Sequence, residues 1–105
     1  MSGKGFILLL KSNGKYDAIY CYHLMKDTAN KLCENYNTKE KVEQLIRMGD
    51  IYYLQENIEN TVFGHRDFNG DLSIMRDVDL SELENYISDC DFVFENEQWR
   101  IISRN

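Results

Sequence analysis

Few side chains in this 105-residue sequence could do covalent chemistry: two histidines, His23 and His65, three cysteines, Cys21, Cys33 and Cys90, and eighteen carboxylates. His65-Arg66-Asp67 spells the triplet of a kinase catalytic loop. The asparagine that must follow five residues after the aspartate is missing, and Asn69 follows by two. Asp67, Asn69 and Asp71 begin like a calcium loop, but Leu72 stands where that loop needs glycine and Val78 where it needs glutamate. Cys21 and His23 lie two apart on a predicted strand, so they share a face, with backbones about 6.5–7 Å apart. That is wide for a nucleophile and its base. Gly3-x-Gly5 precedes a strand rather than a helix, unlike a phosphate-cradling loop. The cysteine count is odd and no pair is spaced Cys-x-x-Cys, so reduced thiols are expected rather than disulfides or zinc. No catalytic residue, metal or cofactor is expected. A small nucleotide-degrading enzyme would have to use His23, His65 and Cys21.

The aromatic side chains are more informative, with seven Tyr, five Phe and one Trp. Tyr16, Ala18, Tyr20 and Tyr22 alternate with Asp17, Ile19 and Cys21, which places three tyrosines on one strand face. Tyrosine rings can stack on nucleobases, and Arg66 or Arg76 could meet phosphates. Tyr20, Tyr22, His23, Arg66 and Arg76 are therefore the candidate ligand-binding residues. A core face with hydroxyls at its rim explains the same tyrosines.

The net charge of −6 is unevenly distributed: residues 1–49 carry +3 and residues 50–105 carry −9. This balance repels nucleic-acid backbones, so direct DNA or RNA binding is not expected. Asp77, Asp79, Glu82, Glu84, Asp89 and Asp91 cluster on and around one predicted short helix. Such an acidic surface could imitate a nucleic acid in a basic cleft of another protein. The opposed halves could also pair two copies of the chain into a homo-oligomer.

Positioning these groups takes one domain over residues 1–105, since the chain has no proline, repeat or linker. A β-rich run from Phe6 to Lys11, Asn13-Gly14 and the alternating Tyr16–Tyr22 predict an opening hairpin. Met25, Ala29, Leu32, Cys33 and Tyr36 recur at helical spacing, as do Val42, Leu45 and Ile46. Asn37 or Thr38 caps the second of these helices, and Gly49 stops it. Residues 50–54 read as a strand or a helical turn. Asn69-Gly70 predicts a second hairpin from residues 61–68 and 72–76. Leu80, Leu83, Tyr86 and Ile87 form a third short helix capped by Asp79 or Ser81, and residues 92–95 and 99–103 form a closing hairpin. The expected class is α+β, with a largely antiparallel sheet built from hairpins and two or three helices on one face. No run approaches the ~20 apolar residues of a membrane span. A soluble protein of the cytoplasm, without membrane contact, is expected.

Several segments carry a resemblance. They are Asn13-Gly14-Lys15-Tyr16, Ala18-Ile19-Tyr20-Cys21-Tyr22-His23, Lys41-Val42-Glu43-Gln44-Leu45-Ile46 and Gly49-Asp50-Ile51 with Leu54. Together with Phe63-Gly64-x-Arg66-Asp67 and Asp89-Cys90-Asp91-Phe92-Val93-Phe94, they resemble a family of small uncharacterised phage and prophage proteins. That family's Trp-Asp-Gly-Tyr-Pro turn is replaced here by Leu24-Met25-Lys26-Asp27. The resemblance implies an accessory protein acting in the infected host cytoplasm, of a type that antagonises host defence. Two functions follow as expectations. One is a non-enzymatic binder that sequesters a small nucleotide immune signal. The other is an acidic inhibitor of a host nuclease or a CRISPR or restriction effector.

Overall fold

A computed structural model describes Gly3 to Arg104. The chain runs β1 (Gly3–Leu10), β2 (Tyr16–Leu24), α1 (Thr28–Asn35), α2 (Lys39–Arg47), β3 (Ile51–Tyr53), β4 (Val62–Phe63), α3 (Gly64–Phe68) and β5 (Met75–Val78). A 3-10 helix (Leu80–Asn85) and the hairpin β6 (Cys90–Glu95) and β7 (Gln98–Ser103) complete it. One seven-stranded sheet results, in the order β4-β3-β2-β1-β6-β7, with β5 pairing β2 off this path. It is α+β and largely antiparallel, and only β1–β6 and β2–β3 are parallel.

The opening hairpin forms as its Asn-Gly signal requires, with Gly14 at φ +80° and Phe6 opposite Tyr20. Phe6 to Leu9 are all buried, because β1 lies between two strands and is covered on both faces. On one face Ile7, Leu9, Ile19 and Cys21 pack with Leu32 of α1 and Val42, Leu45 and Ile46 of α2. On the other, Phe6, Leu8, Ala18 and Val93 pack with Val78 of β5 and Leu83 of the 3-10 helix. The third predicted helix is thus a 3-10 turn on the face opposite α1 and α2. Thr38 is the cap of α2, accepting the Lys41 N–H at 3.2 Å, and Gly49 follows at φ +81°.

The second predicted hairpin does not form. Residues 64–68 coil into α3, and Asn69 at φ 57° ends that helix with its N–H on the Gly64 carbonyl. The tolerance of positive φ that makes Asn-Gly a hairpin signal serves equally at a helix C-terminus. Residues 75–78 pair instead with β2, and residues 51–53, left open between strand and turn, become β3.

Glycine has a steric role in β1. A Cβ on Gly5 would lie 1.7 Å from the Cys90 carbonyl oxygen, where the backbone of β6 closes on β1. Gly5→Ala is therefore expected to cost about 3 kcal/mol or more, read as a lower urea midpoint. An unchanged midpoint would refute this packing of β1 against β6. The turn of the closing hairpin places both Asn96 (φ 54°) and Glu97 (φ 61°) in the left-handed region. Glu97→Gly should relieve that strain and raise stability by about 1 kcal/mol in thermal melts.

Candidate functional site

The edge of β2 that faces away from β1 is shared by two short strands. Antiparallel β5 starts with Met75 opposite Ala18 and runs toward the N-terminal end of β2. Parallel β3 starts with Ile51 opposite Cys21 and runs the other way. Where they part, the Tyr20 N–H has no strand partner, and Asp50 Oδ1 accepts it at 2.9 Å. The Ser73 hydroxyl stands beside the same half-buried carboxylate and acts to hold its pKa down. Gly49 permits this junction: its positive φ turns the chain out of α2, and a Cβ there would meet Leu72 Cδ1 at 2.9 Å.

Above the junction lies a groove of about 300 Å³. Its walls are Tyr20 and Tyr22 of β2, Phe6 of β1 and Met75 of β5, with Tyr86 and Ile87 following the 3-10 helix. Asp50 and Ser73 are its polar lining besides the tyrosine hydroxyls, and no Lys or Arg lines it among the described residues. Five successive aromatic contacts cross this face. Tyr86 meets Phe6 edge-on with centroids 5.6 Å apart, Phe6 meets Tyr20 at 5.0 Å and Tyr20 meets Tyr22 at 4.9 Å. Tyr22 meets Tyr52 at 5.3 Å, and Tyr52 meets Phe68 at 5.3 Å. The four edge-type contacts from Tyr86 to Tyr52 lock the rings of Phe6, Tyr20 and Tyr22 while leaving Tyr22 37% exposed. The Tyr20 hydroxyl donates to the Ile87 carbonyl at 2.6 Å, which ties the outer wall to the sheet.

Burial is the main force on the ionisable groups here. It pushes the Asp50 carboxyl up, against the hydrogen bonds from Tyr20 and Ser73. It also raises the Tyr22 phenol, with the nearby Asp50 charge adding to the effect.

A second anchor fixes the outer wall. Asp91 is 3% exposed, and its carboxylate accepts the Phe6 N–H at 3.1 Å, the Ser88 hydroxyl at 2.6 Å and Arg104 Nη1 at 2.6 Å. Arg104 Nη2 then reaches the Leu83 carbonyl at 2.7 Å and the Tyr86 carbonyl at 3.3 Å, clamping the 3-10 segment.

Of the residues expected to bind a ligand, Tyr20 and Tyr22 meet in the groove. The others lie elsewhere. His23 stacks on Tyr53, 4.5 Å between centroids and 3° from parallel. Arg66 donates to the carbonyls of Ile58, Glu59 and Thr61 and pairs with Asp67, so it is consumed in holding the 58–67 loop. Arg76 pairs with Asp17 beside a separate concavity that Lys11, Lys39 and Arg47 also line. Phe6, Asp50, Ser73, Met75, Tyr86 and Ile87 were not anticipated. Asp50, a lone carboxylate between a helix-stopping glycine and an apolar strand, was the one with a usable signal.

The acidic candidates are less of a free surface than their number implies. Asp91 is buried, so it takes no part in one. Asp77 pairs with Lys11, and Asp79 pairs with Lys15 at 2.9 Å and donates its N–H to Glu82. Asp89 accepts the Lys4 N–H at 2.8 Å. Glu84 is exposed and in no ion pair among the described residues.

Cys21, His65 and Asp67 each have partners of their own. Burial pushes the Cys21 thiol up to about 11, and its Sγ–H donates to the His23 carbonyl at 3.7 Å. His65 Nδ1 is engaged with the Gly70 carbonyl at 2.8 Å. Asp67 accepts the Phe63 N–H at 2.8 Å and pairs with Arg66, which hold its carboxyl below the usual range. Among the described residues no three of His, Cys, Asp and Glu converge as metal ligands, and no helix is long and apolar enough to cross a membrane.

Set against known protein families, curated proteins and solved structures, the chain matches none of them. The groove and its junction carboxylate therefore define a candidate site by geometry alone.

Because its folded pKa is raised, Asp50 binds its proton more tightly in the folded state than in the unfolded one. Its contribution to stability is fully present below the unfolded value of 3.8 and declines as pH rises through the folded value. Asparagine keeps an acceptor for the Tyr20 N–H and carries no charge. Asp50→Asn should thus be at least as stable as the parent at neutral pH, with the advantage vanishing toward pH 3 in paired thermal melts. A loss of stability at neutral pH would contradict this account of the junction.

Proposed function

We propose that this chain is a non-enzymatic binding protein that sequesters a small nucleotide-type immune signal, with the base held in the tyrosine groove. One observation carries the reading: rigid aromatic rings converge on an open slot floored by a single carboxylate, where the sheet edge divides. At about 300 Å³ the slot lies at the small end of the ~300–1,000 Å³ usual for small-molecule sites. Its lining is mostly aromatic and apolar with a few polar groups, the composition that holds a planar ring by stacking and orients it by hydrogen bonds. The recognised part of the ligand is the base. Phosphates leave the slot, since its lining holds a carboxylate and no Lys or Arg among the described residues. In the homo-oligomer that this reading implies, the basic residues 1–49 of a second copy would meet them.

The setting in phage-infected cells, and the anti-defence role in the host cytoplasm, rest on the resemblance of the sequence to small phage proteins. An acidic inhibitor of a host nuclease or effector is the weaker alternative, because Asp77, Asp79, Asp89 and Asp91 already have partners within the chain.

Calorimetric titration with adenine and guanine mononucleotides and cyclic dinucleotides tests the proposal, alongside native mass spectrometry for oligomeric state. Tyr22→Ala and Tyr86→Ala should each weaken binding by about 1–3 kcal/mol, the usual cost of losing one stacking ring. Their melting transitions should stay cooperative and fall only by the ~0.5–1.5 kcal/mol of each lost ring contact. Absence of binding by every nucleotide tested would reject the proposal.

A further inference from the structure

The polar side of the groove makes a choice between bases. Asp50 places a carboxylate at the floor of the slot, and its two oxygens offer about four acceptor positions. The Tyr20 N–H occupies one of them at 2.9 Å, and the Ser73 hydroxyl lies beside the carboxylate. The N–H is fixed in β2 and cannot turn toward a ligand. The Tyr20 hydroxyl is likewise committed to the Ile87 carbonyl. The slot floor thus presents Asp50 as its charged acceptor, beside the rotatable hydroxyls of Tyr22, Tyr86 and Ser73. A ring entering between Tyr22 and Tyr86 is matched when it presents N–H groups to Asp50, and mismatched when it presents only ring nitrogens or carbonyl oxygens.

Resting on the proposal that the groove is a nucleobase site, we infer that Asp50 selects bases bearing an amino group, such as adenine or guanine. The base lies between the aromatic walls with its amino group donating to the carboxylate. The cost of the mismatched case follows from desolvation: a base without a donor would seal a half-buried carboxylate from water and give nothing back. Selectivity of this kind resides in one acceptor, so its removal should abolish discrimination without abolishing stacking.

The test uses neutral nucleosides, so that phosphate contributes nothing. Adenosine and guanosine are titrated against purine riboside, which keeps the ring and sugar and lacks the amino group. The parent protein should bind at least one amino-bearing nucleoside roughly tenfold or more tightly than purine riboside, the size of one hydrogen bond to a charged acceptor. Asp50→Asn, checked for folding by its melting curve, should bind all three within about threefold, because its amide offers a donor as well as an acceptor. Ser73→Ala should keep the parent's discrimination. Equal binding of the three nucleosides by the parent would overturn this inference and leave the nucleobase reading standing. Discrimination that survives in Asp50→Asn would do the same. Binding of none of the three would overturn this inference, and failure of the nucleotides as well would overturn both.

Discussion

The hydrogen bond from the Tyr20 N–H to Asp50 organises this fold more than its single contact implies. A sheet edge cannot leave a buried backbone donor without a partner. β2 has one neighbour along its whole length and two short ones on its other side, which begin at mid-strand and diverge. Asp50 fills the break. With a carboxylate there, β5 and β3 can part without an orphaned N–H, and the opening between them becomes the groove. The same requirement explains the half-buried charge: the acid is held where the backbone needs an acceptor, although burial raises the cost of its ionised form.

Asp91 repeats the device on the other edge of β1. It accepts the Phe6 N–H where β6 begins, and through Arg104 it holds the 3-10 segment whose Tyr86 and Ile87 form the outer wall. Two carboxylates, each capping a strand N–H near one end of the groove, therefore define the floor and the wall. Between them the aromatic contacts from Tyr86 to Phe68 leave little freedom for the rings to rearrange, so the slot is pre-shaped rather than assembled on binding.

The local parts of this architecture were legible in the residues. Alternation along β2 put Tyr20 and Tyr22 on one face, Asn13-Gly14 set the first hairpin, and Gly49 marked the end of α2. The long-range parts were not. Asn69-Gly70 signals positive φ, which a hairpin and a helix end both use, and only the coiling of residues 64–68 decides between them. The parallel placement of β6 beside β1 joins segments some 85 residues apart, as the Phe6–Asp91 bond spans. No local pattern encodes it, although Gly5 is its steric trace. The site suffers most, because Phe6, Asp50, Ser73 with Met75, and Tyr86 come from four separate segments. Arg66 and Arg76 looked free as sequence, yet each has acceptors within a few ångströms that spacing could not reveal.

The position of β1 also bears on how the chain is made. Its partner β2 follows at once through a tight turn, but its other partner, β6, comes some 85 residues later. Until residues 90–95 leave the ribosome, the Phe6–Leu9 run has one open edge of unpaired backbone, which can recruit a strand from another chain. Closing so distant a contact is slow relative to the local hairpin. A nascent intermediate that is β1–β2 plus α1 and α2, with its sheet unfinished, is thus built into the strand order, and its lifetime sets how exposed this chain is to misassembly during synthesis.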